Sequence, residues 1–162
     1  MMVNIRVNGK QYKKDIEPRL LLVNFLRDEL NLTGTHIGCD TSNCGACTVL
    51  MDGKSVKSCT VLAMQANNHE ITTIEHEDPE LDAIKDAYVE EQGLQCGFCT
   101  PGMIIESFYL LKNAGDKEVD DDYIKKNLRG NLCRCTGYRS IIDSIKKANK
   151  NIKEREEIHV SR

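Results

Sequence analysis

Residues 36–49 read HIGCDTSNCGACTV, and the spacing of the three cysteines decides how the rest of the chain is read. Cys39, Cys44 and Cys47 stand as C-x4-C-x2-C, with Cys59 twelve positions further on. This is the plant-type spacing of a [2Fe–2S] site, where one loop wraps the metal and three thiolates reach it from the same stretch of chain. Gly38 and Gly45 suit a loop that needs unusual φ and close backbone approach. Cys59 would then close the cage from the far end of a hairpin. A structural zinc site is the competing reading. Zinc sites mostly use paired C-x2–4-C knuckles, whereas here three ligands crowd one loop and the fourth stands alone.

Four further cysteines, Cys96, Cys99, Cys133 and Cys135, form a second set. Alone, Cys96-Gly97-Phe98-Cys99 resembles a thioredoxin-type C-x-x-C, but that reading needs a preceding strand in a βαβ unit, and the flanks here are helical. Cys99 is followed by Thr100-Pro101, a candidate N-cap and first helical residue. Cys135 is followed by Thr136-Gly137. Both pairs thus precede helix starts, whose free N–H groups and partial positive charge favour an anion such as a thiolate-bound cluster. Zinc is again the alternative.

Working outward, Val3, Ile5 and Val7 alternate up to Asn8-Gly9, and Asp52-Gly53 separates two further short runs. Both dipeptides are hairpin signals. A helix is predicted over Leu20–Leu30, a short one over Val61–Ala66 and a strand over Ile71–Ile74. After His76 only helical patterns follow: Pro79–Gln92, Pro101–Asn113 ending at Gly115, a short helix capped from Asp120–Asp122 through Leu128, and Tyr138–Ala148 capped by Thr136. The expected organisation is therefore a β-rich domain over residues 1–76, an all-α domain over 77–150 and a charged C-terminal tail over 151–162, docked weakly or mobile. Each domain holds four thiols.

The 162 residues include 22 Lys plus Arg against 25 Asp plus Glu, a net charge of −3 without a basic stripe, which argues against a nucleic-acid partner. No apolar run is long enough to span a bilayer, and the N-terminus lacks a secretory h-region. The expectation is a cytoplasmic protein in which eight cysteines serve metal or redox chemistry, not disulfides. Oxidised [2Fe–2S] cores with four thiolates are dianionic, so two of them would take the chain to about −7.

Taken in order, HIGCDTSNCGACTV, SVKSCT, LQCGFCTPGM and NLCRCTGY strongly resemble the small iron–sulfur subunit of molybdenum hydroxylases, the family of xanthine dehydrogenase, aldehyde oxidoreductase, carbon monoxide dehydrogenase and nicotinate dehydrogenase. The likeness covers roughly residues 2–150. It implies an α+β chain: a β-grasp ferredoxin-like domain followed by a four-helix bundle, each with a [2Fe–2S] cluster. It also implies a large molybdopterin subunit and a medium FAD subunit as partners, in a dimer of heterotrimers, with electrons running from molybdenum through the bundle cluster and then the ferredoxin-like cluster to FAD. By the same resemblance Gln95 matches a glutamine that contacts the pterin, and Cys135 a ligand lying beside it. A surface or capping amide is the plainer reading of Gln95.

His36, Asp40, Ser42 and Asn43 lie in or near the first loop, either hydrogen-bonded to the metal site or simply solvated. No phosphate-binding glycine motif and no substrate pocket with a general base is legible, so the expected role is electron transfer without substrate chemistry. A freestanding ferredoxin-like carrier and a zinc-stabilised interaction module are the alternatives. For the complex, the whole-chain resemblance within this family implies an aldehyde oxidoreductase, glyceraldehyde included, because Lys-rich, aromatic-poor small subunits of this kind resemble archaeal ones; 27 Lys and Glu among 162 residues are a mild thermophile-like bias. Carbon monoxide and N-heteroaromatic substrates stay open.

Overall fold

Two hairpins and one crossover build the first half. In the computed structural model, which describes residues 1–160, strand β1 (Met2–Val7) pairs antiparallel with β2 (Lys10–Asp15), and β3 (Thr48–Met51) with β4 (Lys54–Lys57). Both turns are of the predicted kind: φ is 51° and 77° at Asn8 and Gly9, and 49° and 75° at Asp52 and Gly53. Positive φ at both central residues matches the right-handed twist of the flanking strands. Strand β5 (Glu70–Thr72) inserts between the hairpins, parallel to β1 and antiparallel to β3, giving the order β2-β1-β5-β3-β4.

The predicted helix over Leu20–Leu30 is shorter and wider than its periodicity suggests. A single α-turn, α1 (Leu22–Asn24), passes into a π-turn over Phe25–Glu29, where the Leu30 N–H reaches back five residues to the Phe25 carbonyl. Leu22, Val23, Phe25 and Leu26 are all fully buried. The wider turn lets two adjacent apolar pairs face inward together, and π-turns of this kind occur as single insertions in helices. Leu22, Phe25 and Leu26 pack with Val3, Ile5, Val7, Val49 and Ile71 as one core.

The helical half follows from α2 (Pro79–Glu90), α3 (Thr100–Lys112), α4 (Asp121–Asn127) and α5 (Arg139–Val160). Asp78 caps α2 by accepting from the Glu80 and Leu81 N–H groups, and Asp120 caps α4 through the Tyr123 N–H. Each satisfies orphan donors at a helix start, an effect of ~1 kcal/mol. Thr100 does not act as a cap. Cys99 holds the cap position without a side-chain bond, because its αR backbone already continues into the helix. The last helix runs past Ala148 through the charged segment up to Val160, with Ala148 buried and Ile152 packed against the helical core. Ser161, Arg162 and the side chains of Glu156, His159 and Val160 lie outside the described residues.

The halves share an interface. In β3, Val49 belongs to the sheet core while Leu50 belongs to the helical core with Leu81, Ile84, Met103 and Ile105. Alternate residues of one strand therefore serve two cores, and α3 covers the face of the sheet that a free-standing domain would leave to water.

Candidate metal centres

The first four thiols are gathered by a loop that turns back on itself between α1 and β3. Asp40 and Ser42 hold φ of 55° and 59°, and Gly45 follows at 73°. Left-handed residues in such a loop turn N–H groups toward one side and create a concavity for negative charge. Here the Thr41 and Cys44 N–H groups donate to Cys39 Sγ at 3.4 and 3.3 Å. A Cβ on Gly38 would lie 2.8 Å from Cys44 Sγ, so that sulfur keeps its place only against glycine. Cys59 arrives from the turn after β4. The pairing of Thr48 with Lys57 sets this return, and Ser58 donates to the Cys47 carbonyl through both its N–H (3.2 Å) and its hydroxyl (2.7 Å). Cys47 and Cys59 are buried beside Val23.

The second four thiols come from two loops. Cys96 and Cys99 precede α3, while Cys133 and Cys135 precede α5. Cys135 Sγ lies 3.5 Å from Cys96 Sγ. The Thr136 hydroxyl donates to Cys133 Sγ at 3.2 Å and accepts from the Tyr138 N–H at 3.1 Å. The Tyr138 hydroxyl accepts from the Cys133 N–H at 2.9 Å. Thr100, placed after Cys99 as Thr136 is after Cys135, has a buried hydroxyl with no partner among the described residues. Leaving such a donor unpaired costs ~1–3 kcal/mol, and a sulfur acceptor beside Cys99 would offset that cost.

The thiols meet in pairs: Cys39 with Cys44, Cys47 with Cys59, Cys96 with Cys135, Cys99 with Cys133. Among the described residues no three Cys, His, Asp or Glu side chains form a group that encloses a single metal ion. Pairs suit a two-iron core, which takes two thiolates at each iron. The donor set therefore fits [2Fe–2S] clusters better than a tetrahedral zinc ion.

Electrostatics separate the thiols. The Thr41 hydroxyl, followed by the Cys44 and Thr41 N–H groups, draws the Cys39 thiol down to about 6. Burial pushes Cys47 up to about 11, with Cys59 adding to it. Burial likewise raises Cys99 to about 12, helped by Cys133. At Cys133 burial opposes ionisation, but hydrogen bonds from Thr136, Cys135 and Cys99 together outweigh it and the thiol is lowered. Metal binding must therefore expel protons from Cys47 and Cys99, while Cys39 already favours the thiolate at neutral pH.

Of the other predicted residues, Gln95 is exposed, as are Cys96 and Cys135. Their neighbours Leu94, Phe98 and Leu132 are exposed too. Asp40, Ser42 and Asn43 are exposed, and Asp40 and Ser42 act through backbone conformation. His36 instead bridges the two loops: its ring stacks on Phe98 at 4.8 Å between centroids, and Nδ1 lies 2.8 Å from the Phe98 carbonyl. The Leu132 N–H donates to the Cys44 carbonyl at 2.8 Å, tying a neighbour of Cys133 to a residue of the first set. Sequence reading did not assign Asn131 or Lys57, both buried or half-buried between the loops. Their only signal was to open NLCRCTGY and to precede Ser58-Cys59.

Residues 5–72 match the family model described as a 2Fe-2S iron-sulfur cluster binding domain, and residues 70–146 the one described as a [2Fe-2S] binding domain. Caffeine dehydrogenase subunit gamma of Pseudomonas sp. (strain CBB1) is 47% identical over 150 residues, covering 90% of this chain and 89% of its own. The aldehyde oxidoreductase iron-sulfur-binding subunit of Escherichia coli (strain K12) is 36% identical over 168 residues, covering 94% and 73%. Among solved structures, quinoline 2-oxidoreductase from Pseudomonas putida 86 superposes with a TM-score of 0.86 at 38% identity, over 95% of this chain and 96% of that one. The aldehyde oxidoreductase of Desulfovibrio desulfuricans ATCC 27774 gives 0.87 at 33% identity, over 94% of this chain and 17% of that longer one.

Proposed function

This chain belongs to the iron–sulfur subunits of the molybdenum hydroxylase family, and we propose that it is the electron-relay subunit of a heteromeric molybdenum–flavin oxidoreductase. The observation that carries the proposal is the pair of four-thiol sites, one half-buried at the sheet and one more open at the surface, with their loops in direct contact. Cys39, Cys44, Cys47 and Cys59 would hold one [2Fe–2S] cluster, and Cys96, Cys99, Cys133 and Cys135 the other. When bound, such clusters take up and release single electrons, at potentials set by burial and by hydrogen bonds to sulfur.

The chain's own residues supply those bonds. The Thr41 and Cys44 N–H groups serve the first site and the Thr136 hydroxyl the second. Gln95 and Cys135, exposed beside Cys96, form the side we assign to the large molybdopterin subunit. The Cys39–Cys44 side is assigned to the medium FAD subunit. Residues 1–76 then act as the ferredoxin-like unit and 77–150 as a four-helix bundle. The substrate-converting site lies in the large subunit, and the assembly is a dimer of such heterotrimers. Among the described residues no helix is long and apolar enough to cross a membrane. The reducing cytoplasm, where thiols stay free for metal, is the compartment that suits eight cysteines.

For the substrate of the complex, the resemblance to aldehyde oxidoreductase subunits supports an aldehyde, glyceraldehyde included. A specific observation favours a second reading, an N-heteroaromatic substrate: identity is higher to the caffeine dehydrogenase subunit, 47%, than to the aldehyde oxidoreductase subunit, 36%. Reductive titration followed by EPR tests the relay. Two distinct [2Fe–2S] signals and about four irons per chain are expected; two zincs and no iron would overturn it. Turnover of the complex with aldehydes, N-heteroaromatics and carbon monoxide decides the substrate.

A further inference from the structure

Asn131 is 1% exposed and stands two positions before Cys133. Its amide Nδ2 donates to the Gly45 carbonyl at 3.1 Å and the Gly102 carbonyl at 3.1 Å, and lies 3.2 Å from Thr48 Oγ1. Its Oδ1 accepts from Lys57 Nζ at 2.9 Å. Lys57, two positions before Cys59, also donates to Thr48 Oγ1 at 2.8 Å and pairs with the Glu106 carboxylate of α3 at 3.6 Å. The Thr48 hydroxyl in turn donates to the Gly45 carbonyl at 2.6 Å. One side-chain amide therefore touches segments that carry thiols of both sets. Gly45 lies between Cys44 and Cys47, Lys57 precedes Cys59, Gly102 follows Cys99, and Asn131 itself precedes Cys133.

The backbones at this point have no spare room. A Cβ on Gly45 would lie 2.2 Å from the Gly130 carbonyl oxygen and 2.7 Å from Asn131 Cγ; one on Gly102 would lie 2.3 Å from the Gly45 carbonyl oxygen. We propose that Asn131, braced by Lys57, is the positioning residue that fixes the separation of the two metal centres; this rests on the reading of the two four-thiol sites as [2Fe–2S] sites. An amide is the group the place requires. It offers two N–H donors to carbonyls on either side of the junction and one acceptor to an ammonium, and buried bonds of this kind hold direction as well as distance. A carboxylate would set oxygen against the Gly45 and Gly102 carbonyls. A leucine would leave both carbonyls without this donor and the ammonium short of an acceptor. Exchange of electrons between two centres falls exponentially with their separation, and magnetic coupling falls with its cube, so a small slip at Asn131 registers in both.

The test uses the full chain with both sites loaded, compared as wild type, Asn131→Leu, Thr48→Val and Lys57→Arg. Iron and zinc analysis comes first, then low-temperature EPR of the fully reduced protein. Wild type should show splitting from coupling between two reduced clusters. N131L should keep about four irons per chain yet show a measurably smaller splitting. T48V, which removes one shared oxygen, should show a smaller change, and K57R, which keeps the cation, should stay near wild type. An unchanged splitting in N131L, or in T48V where N131L does not load, overturns the proposal. So does loss of iron from both N131L and T48V, since the network would then serve cluster assembly instead of spacing. Wild type that carries zinc in place of iron defeats the underlying reading of the sites and is distinguished at the first step.

Discussion

The first four thiols come from one loop and the hairpin end that follows it; the second four come from two loops joined by a whole helical hairpin. Between Cys47 and Cys59 lie only two short strands, whereas Cys99 and Cys133 stand 34 positions apart with α3 and α4 between them. Local geometry shapes the first site, through left-handed residues at Asp40, Ser42 and Gly45 and the register of β3 with β4. Packing shapes the second, because only the docking of α3 and α5 on the same core brings Cys96 to Cys135. The difference teaches that a ligand set can be encoded in turn chemistry or in helix packing, and the two should fail differently.

The sharpest way to break the comparison is to remove one thiol from each site. Cys59→Ala and Cys133→Ala should each abolish one EPR signal and lower iron from about four to about two per chain. Loss of both signals from either variant would show that the sites do not load independently. Next in size is thiol reactivity in the metal-free chain at pH 7. With Cys39 drawn down to about 6 and Cys99 pushed up to about 12, alkylation followed by mass spectrometry should label Cys39 first, by orders of magnitude.

Leu50→Ala tests whether the halves are energetically joined. Leu50 is 4% exposed and lies in the helical core although it belongs to the sheet. The truncation should cost ~2–5 kcal/mol and shift hydrogen exchange in α2 and α3 as well as in β3. An effect confined to the sheet would separate the halves. A smaller effect follows from loop closure. Stripping the metal should release more entropy to the unfolded ensemble in the helical half, whose cross-link closes the longer loop, by about 1 kcal/mol. Denaturant titration of helix and sheet signals before and after chelation measures it.

The smallest effect is in the charge pairs. Asp121 is lowered by Lys146 first, with Arg139 and Lys125 adding, whereas Asp52 is lowered first by the Glu70 N–H and then by His69. In both cases the folded value lies below the unfolded one. Each carboxylate thus contributes stability above the unfolded value near ~3.9 and loses it as pH falls through the folded value. The Asp121→Asn penalty should therefore vanish in acid. It should also shrink in high salt, while Asp52→Asn should cost little at any salt, because the amide oxygen still accepts the Glu70 N–H.

Much of this was legible before any coordinates. Asn8-Gly9 and Asp52-Gly53 announced their hairpins because the type I′ turn requires residues that tolerate positive φ. Pro79 and Asp120 announced helix starts, because a first-turn proline and a capping carboxylate both act locally. The π-turn at Phe25–Glu29 was hidden, since periodicity reports which residues are apolar but not how wide a turn is needed to bury adjacent pairs. Thr100 read as a cap because its hydroxyl was judged from sequence neighbours alone. In the fold that hydroxyl is buried without a partner among the described residues, and Cys99 holds the cap position.

The sequence by itself determined the two sets of four thiols, the turns between strands, the Asp120 cap and the division between a β-rich and a helical half, because each depends on residues close together along the chain. Tertiary structure alone decided that Leu50 joins the helical core, that His36 stacks on Phe98, and that Asn131 and Lys57 close the seam between the two sites. Those contacts join residues far apart along the chain, 62 positions for His36 and Phe98 and 74 for Lys57 and Asn131. No local propensity encodes such a pairing. It exists because β3 and α3 bury their apolar faces on each other, and the few polar groups carried into that contact must then satisfy one another.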